Sequence, residues 1–265
     1  MDKRIGMELK EETFISSTKP IKLALLGDEH TGSLTWLKDF NYDAIDLIKR
    51  NRMWWIGMGD PLEFATKASV GSGVYEQPLN PDEQKAEWIE THRKIRKRCL
   101  GIHDGNHNKR NKELGMTETV NLCLALDMPF LASHAYHTVA CGDKVWRILT
   151  THGKGTSRKP ENKINSCLDM QTAYPEADIY AMGHVHRLEY KQKYQNKIVI
   201  NENEQRMARE HEATYILTGS FMDYIGSYAQ EDGYQPEPAG YPVITFQPEG
   251  TFEVETHYSP SVLMR

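Results

Sequence analysis

Short apolar runs, each closed by a glycine and a polar residue, set the rhythm of the first two thirds of this chain. Leu23-Ala24-Leu25-Leu26 has the unbroken apolar character of a strand buried on both faces, and Gly27 ends it. Tyr42 to Arg50 carries Ile45, Leu47 and Ile48 at helical spacing, and Met53 to Met58 makes a second buried strand. Strand, helix, strand is the parallel crossover pattern. A helix from about Asp82, with Trp88, Ile89 and Ile95 on its apolar side, then leads to a strand at Cys99 to Ile102. Thr117 to Leu126 follows as a helix, with Thr117 and Glu118 suited to its N-terminus.

From Met128 the pattern changes. Tyr136 to Ala140 and Val145 to Thr151 form a hairpin around Gly142-Asp143. A helix over Lys163 to Tyr174 and a strand over Asp178 to Met182 come next. The last third predicts antiparallel strands at Leu188 to Tyr194, Ile198 to Ile200, Thr214 to Thr218, Val243 to Phe246 and Phe252 to His257. Asn201 to Glu212 is almost wholly polar and predicts a solvated excursion. Residues 1–20 form a charged lead-in with an edge strand near Thr13 to Ser16, residues 61–81 a loop placed as an active-site rim, and residues 221–242 a loop placed to line a pocket. No repeat or low-complexity linker divides residues 1–265. The expectation is one domain of the α/β (α+β) class, two packed mixed β-sheets flanked by helices.

Composition adds constraints. The chain is 39% hydrophobic and 26% charged, ordinary for a globular protein, and no apolar run approaches the ~20 residues that span a bilayer. Met1 to Lys10 is charged and lacks the apolar core of a signal peptide. Cys99, Cys123, Cys141 and Cys167 have no paired spacing and are expected as reduced thiols, which makes the cytoplasm the default location. A net charge of −5 offers no general attraction to nucleic acid. The basic cluster Arg93-Lys94 and Arg96-Lys97-Arg98, at the end of a helix, is expected to be a solvated face.

The chemistry collects at the strand ends. Asp28 and His30 follow the first strand, Asp60 the second, Asn106 and His107 the third, His152 the hairpin, and His184 and His186 the strand after it. In open α/β sheets ligands gather outside the carboxyl ends of strands. Any one of these residues has an ordinary explanation, as a helix cap, a turn residue or an exposed loop histidine. Five polar clusters at five strand ends favour a shared site. Carboxylate, imidazole and amide oxygen suit divalent manganese, zinc, iron, nickel or cobalt, and the absence of cysteine argues against a finger-type zinc site. So many ligands exceed what one tetrahedral ion uses and point to two metal ions.

The set Gly27-Asp28-Glu29-His30, Gly59-Asp60, Gly105-Asn106-His107, His152-Gly153 and Gly183-His184-Val185-His186 resembles the motifs of the calcineurin-like metallophosphoesterases, in that family's order. The resemblance implies an αββα sandwich with the metals at one edge. It implies that Asp28, His30 and His186 hold one divalent ion, that Asn106, His152 and His184 hold the other, and that Asp60 bridges them. Manganese is the first expectation, with magnesium among the alternatives. His107 takes the place of a general acid, and a hydroxide shared between the metals would attack phosphorus in line.

Two departures stand out. The family usually has Asp or Glu after the Asn-His pair, whereas this chain has Asn108, and a neutral amide cannot raise the basicity of His107 through charge. Gly59-Asp60 continues as Pro61-Leu62-Glu63-Phe64, without the Asp-Arg-Gly segment of protein phosphatases. Lys109, Arg110, Lys154, Arg158 and Arg187 follow the clusters closely and are candidate phosphate contacts, Arg110 first among them. The segment Phe221 to Tyr228, with Tyr234, is a candidate wall for stacking a base. The functional expectation is a phosphodiesterase acting on a nucleotide or nucleic acid. A phosphomonoesterase, a DNA exonuclease and a non-catalytic metal-binding scaffold are the alternatives.

Overall fold

The structure is a computed structural model that describes residues 11–66, 77–107, 117–131, 133–154, 159–200, 206–227, 230, 233 and 235–260. Two six-stranded sheets stack face to face. Sheet A runs β1 (Glu11–Ser17), β6 (His134–Cys141), β7 (Lys144–Thr151), β8 (Ile179–Met182), β10 (Arg206–Thr218), β9 (Leu188–Ile200). Sheet B runs β12 (Phe252–Tyr258), β11 (Gly240–Phe246), β2 (Ile21–Leu26), β3 (Trp54–Gly57), β4 (Cys99–His103), β5 (Phe130–Leu131). Both sheets are mixed: β2, β3, β4 and β5 pair in parallel, while β11 joins β2 and β12 antiparallel. This is the fold class read from the sequence.

Strand alternation builds the layers. In β2, Leu23 and Leu25 enter the core between the sheets, while Ala24 and Leu26 face the helices α1 (Lys38–Asn51), α2 (Pro81–His92) and α3 (Glu118–Leu126). In β8, Ile179 and Ala181 point to the same inter-sheet core, and Tyr180 and Met182 pack under α4 (Pro160–Ala173). The order of layers is therefore α1–α3, sheet B, sheet A, α4. Among the described residues no helix is long and apolar enough to cross a membrane. All four cysteines are free and buried.

Local chemistry sets the helix ends. Asn80 caps α2, accepting from the Asp82 and Glu83 amides while Glu83 accepts from its own, with Pro81 opening the helix. Thr117 precedes α3 but its side chain makes no cap bond. Helix α2 ends at His92, so the basic cluster lies beyond it rather than in its last turn. Arg96–Arg98 form a single 3₁₀ turn, Arg96 donates to the Leu126 carbonyl (3.1 Å), and the Arg98 guanidinium sits over the Trp54 ring.

The polar stretch after Asn201 departs from the expectation. Arg206 to Glu212 is not a solvated excursion but the first half of β10, in unbroken antiparallel register with β9 from Arg206↔Ile200 to Thr218↔Leu188. Backbone pairing with β9 carries this outer half, joined by His211 Nε2 near the Ala177 carbonyl (3.4 Å) and Asp178 (3.8 Å), and its sequence lacks the apolar alternation of a half-buried strand. Further along, β10 pairs in parallel with β8, so the last third is not purely antiparallel. The loop expected over 221–242 gives way to strand at Gly240.

Candidate metal centre

The ends of β2, β3, β4, β7 and β8 meet at one edge of the sandwich. Backbone bonds lock the turns together: the Asp28 amide donates to Gly59 O (3.0 Å), His30 to Asp60 O (3.1 Å), and Phe221 to Asp28 O (3.1 Å). These turns use an uncommon backbone. Eight described non-glycine residues have positive φ, and Asp28, His30, Asp60, His184 and His186 are five of them. Two others, Arg52 and Asp127, end helices, where a left-handed residue is ordinary. Left-handed residues elsewhere cost energy and gather at functional sites.

Glycines make room for this crowding. A side chain on Gly59 (φ +103°) would collide with the His152 ring, and one on Gly105 would collide with the Asp60 carboxylate and amide. The glycines beside the motifs thus serve close approach, not flexibility.

The candidate ligands fall into overlapping groups. Ligand atoms of Asp28, His30 and His186 lie within 4.8 Å of one another, as do those of Asp60, His152 and His184; His30, Asp60 and His107 form a third such set. Asp60 thereby belongs both with His30 and with His152. Asn106 joins the second group, its Oδ1 3.1 Å from His152 Nε2. The structure therefore brings together every candidate ligand read from the sequence, with His107 beside them.

The hydrogen bonds show which way the rings face. His152 Nδ1 donates to the Met58 carbonyl (2.8 Å), which leaves Nε2 toward Asp60 Oδ2 (3.3 Å). His30 Nδ1 pairs with Glu63 Oε2 (3.0 Å), which leaves its Nε2 toward His186 Nε2 (3.2 Å). Asp28 Oδ1 lies 3.2 Å from His186 Nε2 and is buried without a hydrogen-bond partner, while Oδ2 accepts from the His184 amide. Two imidazole nitrogens and an orphaned carboxylate oxygen converging on one point fit a divalent cation. Partners on the far ring nitrogens fix the tautomer that ligation needs.

Charge balance follows from the same contacts. Burial alone would raise the Asp60 carboxyl, but the charges of His152 and His107 hold it well below the usual carboxylate range. Asp28 is likewise held below its ordinary value, burial being outweighed by His186 and His152. Burial would depress His152, yet Asp60 and Asp28 bring it up to about 9. His30 and His184 are lowered, chiefly by burial.

Glu63 is the residue that sequence reasoning missed. It lies three positions after Asp60, and its carboxylate reaches both His30 Nδ1 and His107 Nδ1 (3.4 Å). Burial works against its ionisation, but hydrogen bonds from His107 and His30 keep it ionised far below the ordinary range. His107 therefore has a carboxylate partner even though Asn108 supplies none. The available signal was a carboxylate in the loop directly after a candidate ligand.

The expected phosphate contacts fare differently. Arg187 is committed to Glu189 (2.5 Å) and to both oxygens of Glu237 (3.0 and 3.2 Å), and Lys163 also reaches Glu237 (3.2 Å). Two carboxylates balance its charge, which removes it as a phosphate clamp in this arrangement. Lys154 is exposed, whereas Lys109, Arg110, Asn108 and Arg158 lie outside the described residues. Phe221 is no pocket wall: it is fully buried and stacks on Tyr241 in the core under the helices. Tyr228 and Tyr234 lie outside the described residues.

No family model matches the chain, and no curated protein matches it. Solved structures are similar at low levels, and two serve as examples. A conserved uncharacterized protein and predicted phosphoesterase from Streptococcus pneumoniae TIGR4 is 12% identical with a TM-score of 0.37, over 92% of this chain and 100% of that one. Vps29 from Chaetomium thermophilum is 13% identical with a TM-score of 0.42, over 90% and 95%. Likeness at this level carries nothing about the site.

Proposed function

We propose that the chain is a binuclear metal-dependent phosphoesterase of the calcineurin-like kind, acting on a phosphodiester such as a nucleotide or nucleic acid. The observation that carries this reading is the convergence of Asp28 Oδ1, His30 Nε2 and His186 Nε2 beside a second group that shares Asp60. Asp28, His30 and His186 would hold one ion, Asn106, His152 and His184 the other, with Asp60 between them. Two divalent ions in such a site polarise phosphoryl oxygens and activate water near neutral pH.

The chain's own residues complete the chemistry. Glu63 holds His107 by Nδ1, so Nε2 is the nitrogen that would protonate a leaving oxygen. Glu63 favours turnover over a non-catalytic scaffold, because it offers His107 the carboxylate partner that Asn108 does not. Manganese is the proposed metal and the cytoplasm the proposed location.

The test is hydrolysis of aryl phosphodiesters and monoesters by the purified chain with manganese, zinc, cobalt or magnesium, each against a chelated control. Metal-dependent turnover with the diester preferred is expected. Binding of two ions without turnover of either ester would overturn the esterase reading, and preference for the monoester would overturn the diester assignment.

A further inference from the structure

Between the ligands Asp28 and His30 sits a residue that neither metal group uses. Glu29 is 2% exposed, and its side chain leaves the site for the helix layer. There its Oε2 accepts from Asn41 Nδ2 of α1 (3.0 Å) and its Oε1 from Trp88 Nε1 of α2 (3.2 Å). His92 Nε2 approaches Oε2 at 3.2 Å as an ion-pair contact not aligned as a hydrogen bond. His92 in turn stacks on Trp88 with 3.9 Å between ring centroids, and its Nδ1 lies 3.0 Å from the Trp88 carbonyl.

The same helix face reaches the second ligand-bearing loop. Gln84, Trp88 and His92 are four residues apart along α2 and almost wholly buried. Gln84 accepts from the Phe64 amide (2.9 Å), next to Glu63, and donates to Gln77 and to the Leu79 carbonyl. A side chain on Gly32 (φ +88°), two residues past His30, would collide with that of Gln84.

A buried carboxylate is costly unless donors surround it. An apolar side chain at position 29 would fill this layer more cheaply, so the carboxylate needs a reason. We infer that Glu29, held by Asn41, Trp88 and His92, is a positioning residue that keeps Asp28 and His30 in the left-handed turn from which both can hold a metal ion. This rests on the metal-centre reading, though not on turnover. Contacts around ligands that fix their orientation contribute about 10–100-fold to metal affinity.

The experiment titrates metal-free protein with Mn²⁺ by calorimetry and measures its thermal unfolding in chelator. Glu29→Gln places an amide nitrogen among groups that are themselves donors. We expect at least tenfold weaker binding at one of two sites, the other unchanged, in protein that folds without metal. Adding Asn41→Asp gives the introduced amide a carboxylate to donate to, and the double variant is expected to recover affinity to within threefold. Wild-type affinity at both sites in folded Glu29→Gln overturns the inference, as does a lowered unfolding temperature with unchanged affinity. If that variant fails to fold, Trp88→Phe decides in the same titration, because it keeps the ring and deletes one donor. A wild-type chain that takes up two ions but hydrolyses no ester would sink the esterase reading and leave this inference standing.

Discussion

Two buried histidines of this sandwich, one at the strand ends and one between the sheets, are shifted in opposite directions. At the strand ends, His152 packs against Asp60 and Asp28 and is raised to about 9 despite its burial. In the core between the sheets, His137 has no carboxylate to set against burial and falls to about 3. His103 Nε2 and His137 Nε2 meet at the Thr150 hydroxyl, at 2.7 and 2.9 Å, joining β4 of one sheet to β6 and β7 of the other. Burial is nearly the same in the two places; the neighbouring charge differs. A histidine surrounded by carboxylates is set up to exchange a proton for a metal ion, whereas one facing a hydroxyl is set up to stay neutral and hold two sheets together.

The largest effect should come from removing the charge that the strand-end group shares. Asp60→Asn keeps the size and the Oδ1 acceptor for the His107 amide (2.8 Å) but deletes the carboxylate common to both metal groups. Hydrolysis of an aryl phosphodiester at saturating manganese should fall by ~10³-fold or more, with the circular dichroism spectrum unchanged. Wild-type turnover would remove Asp60 from the bridging position.

The opposite shifts make stability depend on pH in two separate windows. His137 binds its proton more weakly folded than unfolded, so its neutral form supports the fold above pH 6.5 and that support drains away as pH falls toward 3. The full effect is on the order of 5 kcal/mol, at ~1.4 kcal/mol per unit. His152 has the reverse sign: in metal-free protein its contribution is complete below pH 6.5 and is lost as pH rises through about 9. Urea unfolding of chelated protein should therefore be most stable near pH 6.5. His137→Gln should make the acid limb shallower and leave the alkaline limb as it is, whereas saturating metal should flatten the alkaline limb, because an ion takes the place of the proton on His152. A change in the alkaline limb on His137→Gln would break the separation between the two groups.

Much of this was legible in the residues, for identifiable reasons. Buried strands such as Leu23–Leu26 and Ile179–Met182 declare themselves because both faces are apolar. The ligands were visible because each cluster follows a strand within a few residues and is flanked by a glycine. What escaped was whatever depends on distant partners. Arg206 to Glu212 looked like loop because its strand is held by backbone pairing with β9 rather than by an apolar face. Glu63 looked like any loop carboxylate until the folded chain set it against His30 and His107. Arg187 looked like a phosphate contact because Glu237, fifty residues away, is invisible to local reading.

Glu63→Gln sharpens the comparison from the site's side. The amide keeps one acceptor but loses the charge shared by His30 and His107, so turnover should drop by ~10–100-fold, less than for Asp60→Asn. The loss should grow above neutral pH, where His107 without a carboxylate partner gives up its proton sooner. A pH profile that keeps the wild-type shape would detach Glu63 from the proton donor.

The smallest effect on activity is expected from Thr150→Val, which removes the hydroxyl between the core histidines at nearly constant volume. Both Nε2 atoms lose the hydroxyl partner at 2.7 and 2.9 Å, and the Ala135 carbonyl loses a weak donor at 3.4 Å. Leaving buried polar groups unsatisfied costs about 1–3 kcal/mol each, so unfolding in urea should shift by about 2 kcal/mol or more, equally with and without metal. Turnover per folded molecule should stay within twofold, because Thr150 touches no candidate ligand. His103, however, ends β4, and the loop that follows carries Asn106 and His107. A larger fall in turnover would mean that this hydroxyl also sets the reach of that loop, and the two histidine groups would then have to be treated as one network.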